Sequence, residues 1–279
     1  MRVAVLSDIH ANLVALDAVI ASLGSIDAIW HLGDVVGYGP DPDAVVDRLR
    51  ELGAVGVRGN HDAAAVGLID IDWFNPDARA AMEWTRRRIG EPTRTWLAGL
   101  PDRRGEGEFS LVHGSPRDPT WEYVVSLPIA RANLAVLTTP FGLHGHTHLP
   151  MVWTEHDGHV EQIAPAAGST FTFDHRRALI NPGSVGQPRD GIVTASFLVV
   201  DTAAGSCTWH RTSYDIPAVQ AAMTDAGLPQ RLVQRLAFGA CRRPRWEVSS
   251  PSRVASSAIA GSGSSDLTQP ISAGRVPAS

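Results

Sequence analysis

With 279 residues the chain is long enough to bury one large core or two small ones. A 44% hydrophobic fraction is that of an ordinary globular protein, and a net charge of −5 excludes an overall basic footprint for nucleic acid. All 24 basic residues are Arg, and Cys207 and Cys241 stand in no metal-binding spacing, which argues against a disulfide framework and for a reducing cytoplasm.

Residues 2–7 read as a buried strand with no basic leader or long apolar run, so neither a signal peptide nor a spanning helix is expected. A helix over 12–23 follows, with Asn12 as N-cap and Leu13, Leu16, Val19, Ile20 and Leu23 on its stripe. Residues 27–31 form a second strand, 43–52 a second helix entered at Pro42, and 54–57 a short third strand. This alternation predicts a parallel sheet whose ligands bind beyond the carboxyl ends of its strands, where Asp8, Asp34 and Asn60 fall. Residues 76–100 are mostly helical, broken at Gly90 and Pro92. Strands are expected at 108–113, 142–144, 152–155, 160–163, 178–181, 195–200 and 206–211, with Asp157-Gly158 as a hairpin turn, and helical segments over 216–236. After Gly239 the periodicity is lost. The last 40 residues hold 10 Ser, 4 Pro and 3 Gly, which predicts a disordered tail over 240–279 behind a domain of 1–239.

Five clusters carry the chemistry: Asp8-Ile9-His10, Gly33-Asp34, Gly59-Asn60-His61-Asp62, His113-Gly114 and Gly145-His146-Thr147-His148. Asp8, His10, Asp34, Asn60, His113, His146 and His148 offer oxygen and nitrogen ligands with no sulfur, a set suited to two divalent metals that activate water against a phosphate ester. Asp34 has two oxygens and can bridge. Mn, Fe, Zn, Ni and Co all tolerate such ligands. His61 is not needed for coordination, and its role is general acid toward the departing alkoxide. Asp62 either orients His61 or caps a helix starting at Ala63.

These blocks, in this order, resemble the calcineurin-like metallophosphoesterase superfamily, whose pattern is D-x-H, G-D, G-N-H-[DE], H and G-H-x-H. The resemblance spans residues 1–239 and implies an α/β sandwich of two mixed sheets flanked by helices. It also implies one metal held by Asp8, His10, Asp34 and His148, another held by Asp34, Asn60, His113 and His146, and His61 as catalytic acid. The Asp-Arg-Gly that protein phosphatases carry after the Gly-Asp block is missing, since Asp34 is followed by Val35-Val36-Gly37. Position 37, where purple acid phosphatases place a tyrosine ligand, is Gly37. The branch most similar is that of small prokaryotic phosphodiesterases and phosphatases, which share the late segment Asn181-Pro182-Gly183-Ser184.

In that segment Gly183 and Gly186 are expected to bring backbone N–H groups to an anion, and Arg189 to clamp phosphate oxygens. Asn60 is a second candidate substrate contact. Arg58 either faces the phosphate or forms a structural ion pair. Tyr38, Trp121 and Tyr123 either pack in the core or stack on a base. His31 and His144 end strands beside ligand blocks and read as structural or supporting residues. The expected substrate is a small or nucleotide-like phosphoester, with no membrane partner. A non-catalytic scaffold on the same fold would be expected to lose ligands or His61, and all are present. A protein phosphatase is disfavoured by the missing Asp-Arg-Gly.

Overall fold

The computed structural model describes residues 1–239; the expectation of a disordered tail concerns residues outside that range. Two six-stranded mixed sheets face each other. The first runs β3 (Val55–Gly56), β2 (Ala28–His31), β1 (Arg2–Leu6), β11 (Ala195–Asp201), β12 (Ser206–Thr212), β9 (Thr170–Thr172). The second runs β4 (Arg103–Glu106), β5 (Phe109–Val112), β6 (Phe141–Leu143), β10 (Arg177–Pro182), β7 (Pro150–His156), β8 (His159–Ile163).

Strand β1 shows why the layers form. Its alternate residues Val3 and Val5 face the opposing sheet, while Ala4 and Leu6 face helices α1 (Leu13–Ser22) and α2 (Pro42–Glu51). A strand covered on both faces reads as a continuous apolar run, as R-V-A-V-L does. Strand β11 repeats the division, with Leu198 and Val200 toward the sandwich and Phe197 and Val199 toward the helices. Each such Leu, Val or Phe contributes roughly 1.5–3 kcal/mol on burial.

Parallel pairing occurs twice, and this places the chemistry. In the first sheet β3, β2 and β1 run parallel; in the second β5, β6 and β10 do. Their carboxyl ends meet at one rim. There Ser184 Oγ donates to the Asp8 carbonyl at 2.8 Å, the His146 N–H donates to Asp8 Oδ2 at 3.1 Å, and His113 Nδ1 donates to the Leu32 carbonyl at 2.8 Å.

The Asn12 cap and the Asp157-Gly158 turn form as expected: Asn12 Oδ1 accepts from the Ala15 N–H, and both turn residues have positive φ. The sequence reading omitted four elements: β4, β9, the 3₁₀ turn Ile71–Trp73 and the helix Leu127–Val136. Strand β4 is R-R-G-E, an edge with no apolar alternation, and β9 spans three residues. Among the described residues no helix is long and apolar enough to cross a membrane.

Candidate metal centre

The loop after β1 and the loop after β2 are joined through their backbones. The N–H groups of Asp8, His10 and Ala11 donate to the carbonyls of Gly33, Asp34 and Val35 at 3.1, 2.9 and 2.8 Å. Asp34 is held from the other side, where its Oδ1 accepts the His61 N–H at 2.9 Å. Gly59 makes that approach possible: a Cβ there would lie 2.1 Å from Asp34 Oδ1. Helix α3 (Asn60–Ala65) therefore starts directly against the Asp34 carboxylate.

All seven candidate ligands are buried and converge. Three overlapping triads, Asp8–His10–His148, His10–Asp34–His61 and Asp34–His113–His146, each hold donor atoms within 4.8 Å of one another. Asp34 Oδ2 lies 3.6 Å from His10 Nε2 and 3.4 Å from His113 Nε2, between the two ends of the cluster. Asn60 Oδ1 and His146 Nδ1 both stand 3.0 Å from His113 Nε2.

The tautomers fit a cation. His10, His113 and His148 each turn Nδ1 to a backbone carbonyl, those of Val36, Leu32 and Gln187, at 3.3, 2.8 and 2.5 Å. A carbonyl only accepts, so Nδ1 keeps its hydrogen and Nε2 is the nitrogen turned inward, as metal-bound imidazoles require; in neutral His10 and His148 it carries a lone pair. His10 and His148 then bring two Nε2 atoms within 3.2 Å of each other, 3.2 Å from Asp8 Oδ1 on the His148 side. Two facing lone pairs repel unless a cation or a proton lies between them. Asp8 Oδ1 is also buried without a hydrogen-bond partner.

The charges agree. Burial works against ionising Asp34, yet the attraction of His113 and His61 holds its carboxyl well below the usual range. Burial opposes a charge on His113 too, but Asp34 overrides it and pushes the imidazole up to about 9. A proton on His113 supplies the positive charge that the carboxylates demand. Burial drives His10 and His146 well below the usual imidazole range.

His61 lies over the centre, its ring centroid 4.9 Å from that of His10 and 4.4 Å from that of Tyr38, with Nδ1 3.1 Å from Met82 Sδ. Burial pushes it down to about 4, against the pull of Asp34. Asp62 does not touch its ring: Oδ2 accepts the Gly59 N–H at 3.0 Å and Oδ1 the Val36 N–H at 3.0 Å. Of the two roles open to Asp62, the structure shows the cap, in a helix that begins at Asn60 rather than Ala63.

Two further readings narrow. Of the two open to Arg58, the structure shows the ion pair, with donation to Asp102 Oδ1 at 2.6 Å and to the Ala98 carbonyl at 3.0 Å. Gly183 and Gly186 offer no N–H to an anion, since these donate to Asn181 Oδ1 and the Asp8 carbonyl. The late segment instead supports the β1 loop and fixes His148 through the Gln187 carbonyl. Arg189, at its end, does line the cavity of about 110 Å³ over the centre, with Asp34, Asn60, His61, His146 and His148.

Tyr38, Trp121 and Tyr123 line the same cavity, and Tyr123 stacks on His146 with centroids 3.8 Å apart. Sequence reasoning missed Trp73, Phe74 and Asn75, which complete the wall. The available signal was Asn75-Pro76, a cap followed by proline at the first turn of α4 (Pro76–Arg88), directly after two bulky aromatics. His31 and His144 are buried beneath the site, burial lowering them to about 3 and about 4.

Several known proteins are similar to this chain. The model of the calcineurin-like phosphoesterase superfamily domain matches residues 1–205. An uncharacterized protein from Methanocaldococcus jannaschii is 34% identical over 248 residues, 85% of this chain and 98% of that one. A symmetrical bis(5′-nucleosyl)-tetraphosphatase from Aromatoleum aromaticum is 30% identical over 141 residues, 47% of this chain and 50% of that protein. Among solved structures, a metallophosphoesterase from Sphaerobacter thermophilus shares 44% identity at a TM-score of 0.80, covering 86% of this chain and 99% of its own. A hypothetical protein from Pyrococcus horikoshii OT3, at 21% identity and TM-score 0.72, shares the fold; 86% of this chain and 98% of that one are covered.

Proposed function

The chain belongs to the calcineurin-like phosphoesterase superfamily, and on that premise we propose that it hydrolyses a small phosphomonoester or phosphodiester at a dinuclear metal centre. The supporting observation is the set of inward-facing imidazole nitrogens around Asp8 and Asp34, beneath His61 and Arg189 in one cavity. Asp8, His10, Asp34 and His148 would hold one ion and Asp34, Asn60, His113 and His146 the other, with manganese a proposed occupant. The ions supply Lewis acidity toward phosphate oxygens and a nucleophile active at neutral pH.

The chain's own residues do the rest. Arg189 offers planar N–H donors to phosphate oxygens that point away from the ions. The buried part of the wall, Asp34, Asn60, His61, His146 and His148, limits water at the centre and strengthens each polar contact. His61 gives a proton to the leaving oxygen. Burial favours its neutral form, and the negative charge of an arriving phosphate favours the imidazolium it needs. One relative carries the name bis(5′-nucleosyl)-tetraphosphatase, so nucleotides stand among the proposed substrates. The buried free thiol of Cys207 is in keeping with a reducing compartment such as the cytoplasm.

The test is a panel of phosphomonoesters and phosphodiesters assayed after chelation and reconstitution with each of Mn, Fe, Zn, Ni and Co. Turnover should vanish on chelation and return with metal. Metal-loaded protein inactive on every ester would refute the reading.

Arg189→Ala should raise the inhibition constant of inorganic phosphate roughly 10- to 150-fold, the worth of charge-assisted hydrogen bonds, with metal content unchanged. Inhibition and KM unmoved across several esters would remove Arg189 from the substrate site.

A further inference from the structure

A chain of aromatic rings leads out of the cavity from His61. Phe74 meets His61 edge-on at 4.9 Å, Trp121 lies 5.4 Å from Phe74, and Trp73 lies 5.6 Å from Trp121. Trp73 is 69% exposed. It occupies a single 3₁₀ turn, Ile71–Trp73, pinned where Asp70 Oδ1 accepts the Asp72 N–H at 2.9 Å. Asn75, also in the wall, uses its Oδ1 to cap α4, and its amide hydrogens are donors at the rim.

Asp34, Asn60, His61, His146 and His148 line one part of the cavity and Trp73, Phe74, Asn75 and Trp121 another, with Trp73 at its exposed edge. A phosphoryl group seated over Asp34 and the histidines leaves the remainder of a larger ester to run along the aromatic wall. If His61 protonates the leaving oxygen, the leaving group departs on the His61 side, where the ring chain begins. A glycerol or plain sugar leaving group would leave the large flat face of Trp73 in water. A planar ring would cover it, and aromatic faces accept any base because every base has a π-face.

We propose that the leaving group is a nucleoside whose base stacks on Trp73 and Trp121, with the Asn75 amide donating to the base edge. This rests on the phosphoesterase reading and adds the specificity-determining residues to it.

The test compares adenosine 5′-monophosphate with ribose 5-phosphate, which differ only by the base, together with phenyl phosphate. Their dissociation constants are measured by equilibrium binding on the metal-loaded full chain. Wild type should bind the nucleotide roughly 5- to 150-fold more tightly than the sugar phosphate, the range that base–aromatic stacking provides. Trp73→Ala and Trp121→Ala should each draw that ratio toward one, and Trp73→Phe should keep most of it. Trp73 is exposed, so its removal leaves the core intact, and circular dichroism checks this. Equal binding of nucleotide and sugar phosphate by wild type, no binding of either, or a ratio unmoved in both alanine variants would overturn the proposal. Phenyl phosphate binding as tightly as the nucleotide would overturn the nucleobase assignment. Because the readout is binding, a wild type that hydrolyses no ester would sink the phosphoesterase reading without deciding this ratio.

Discussion

His61→Asn is expected to keep both metals and to lose roughly 10²–10⁴-fold in kcat on alkyl and nucleoside esters, with a clearly smaller loss on nitrophenyl esters. An alkoxide is a poor leaving group and needs a proton as its bond to phosphorus breaks, whereas nitrophenolate departs unaided. The side chain lies in the cavity wall beside Asp34, and the sequence motifs leave it outside the seven-residue ligand set. Its position depends on Gly37, where a Cβ would stand 2.4 Å from His61 Nδ1. Gly37 also has φ +89°, a region costly for any other residue. Gly37→Ala should therefore reproduce the same differential loss by displacing the ring. Equal losses on both ester classes would show that His61 acts on the phosphate charge instead. Loss of metal together with activity would make it a ligand, as its place in a triad with His10 and Asp34 permits. Metal analysis beside the kinetics separates these outcomes.

Asp34→Asn is expected to abolish stable occupancy of at least one ion and to cut kcat/KM by about 10³-fold or more. Metal ions supply several kcal/mol of transition-state stabilisation, and 1.36 kcal/mol is one decade of rate. No other ligand candidate stands between His10 and His113 as Asp34 Oδ2 does. The variant carries a second signature, in protons. In the metal-free wild type Asp34 holds a proton on His113 up to about pH 9. A metal at Nε2 must displace it, so apparent affinity rises with pH up to about 9 and a proton is released at pH 8. In the variant the charge that held the proton is gone, His113 is neutral at pH 8, and that release disappears. Titration calorimetry in two buffers of different ionisation enthalpy reads it directly. Full metal content with near wild-type turnover would place the bridge elsewhere.

Much of this was legible in the chain itself. Apolar runs at β1 and β2, the Asn12 cap and the Asp157-Gly158 turn depend on neighbours within a few residues, where local physics decides. The donor clusters were equally readable, because a ligand's chemistry belongs to its residue type. Short or polar elements such as β4 and β9 were not, since pairing with a partner strand alone makes them strands. Arg58 and the N–H groups of Gly183 and Gly186 kept two readings in sequence. A partner 44 residues away settled Arg58, the Asp8 carbonyl in the loop after β1 settled Gly186, and the side chain of Asn181, two residues back, settled Gly183.

By itself the sequence determined a parallel β-α-β-α-β start, seven oxygen and nitrogen donors without sulfur, and a spare histidine beside one of them. The tertiary structure decided how those donors point. Asp8, His10, Asp34, His146 and His148 all adopt positive φ, between 50° and 65°. Such a backbone costs a non-glycine residue about 1–3 kcal/mol, so no local preference selects it. It persists because distant groups hold it: the Gly33 and Asp34 carbonyls hold Asp8 and His10, the Asp8 carboxylate holds His146, and Gln187 holds His148. Those contacts join the two sheets at one rim, which residue order alone does not express.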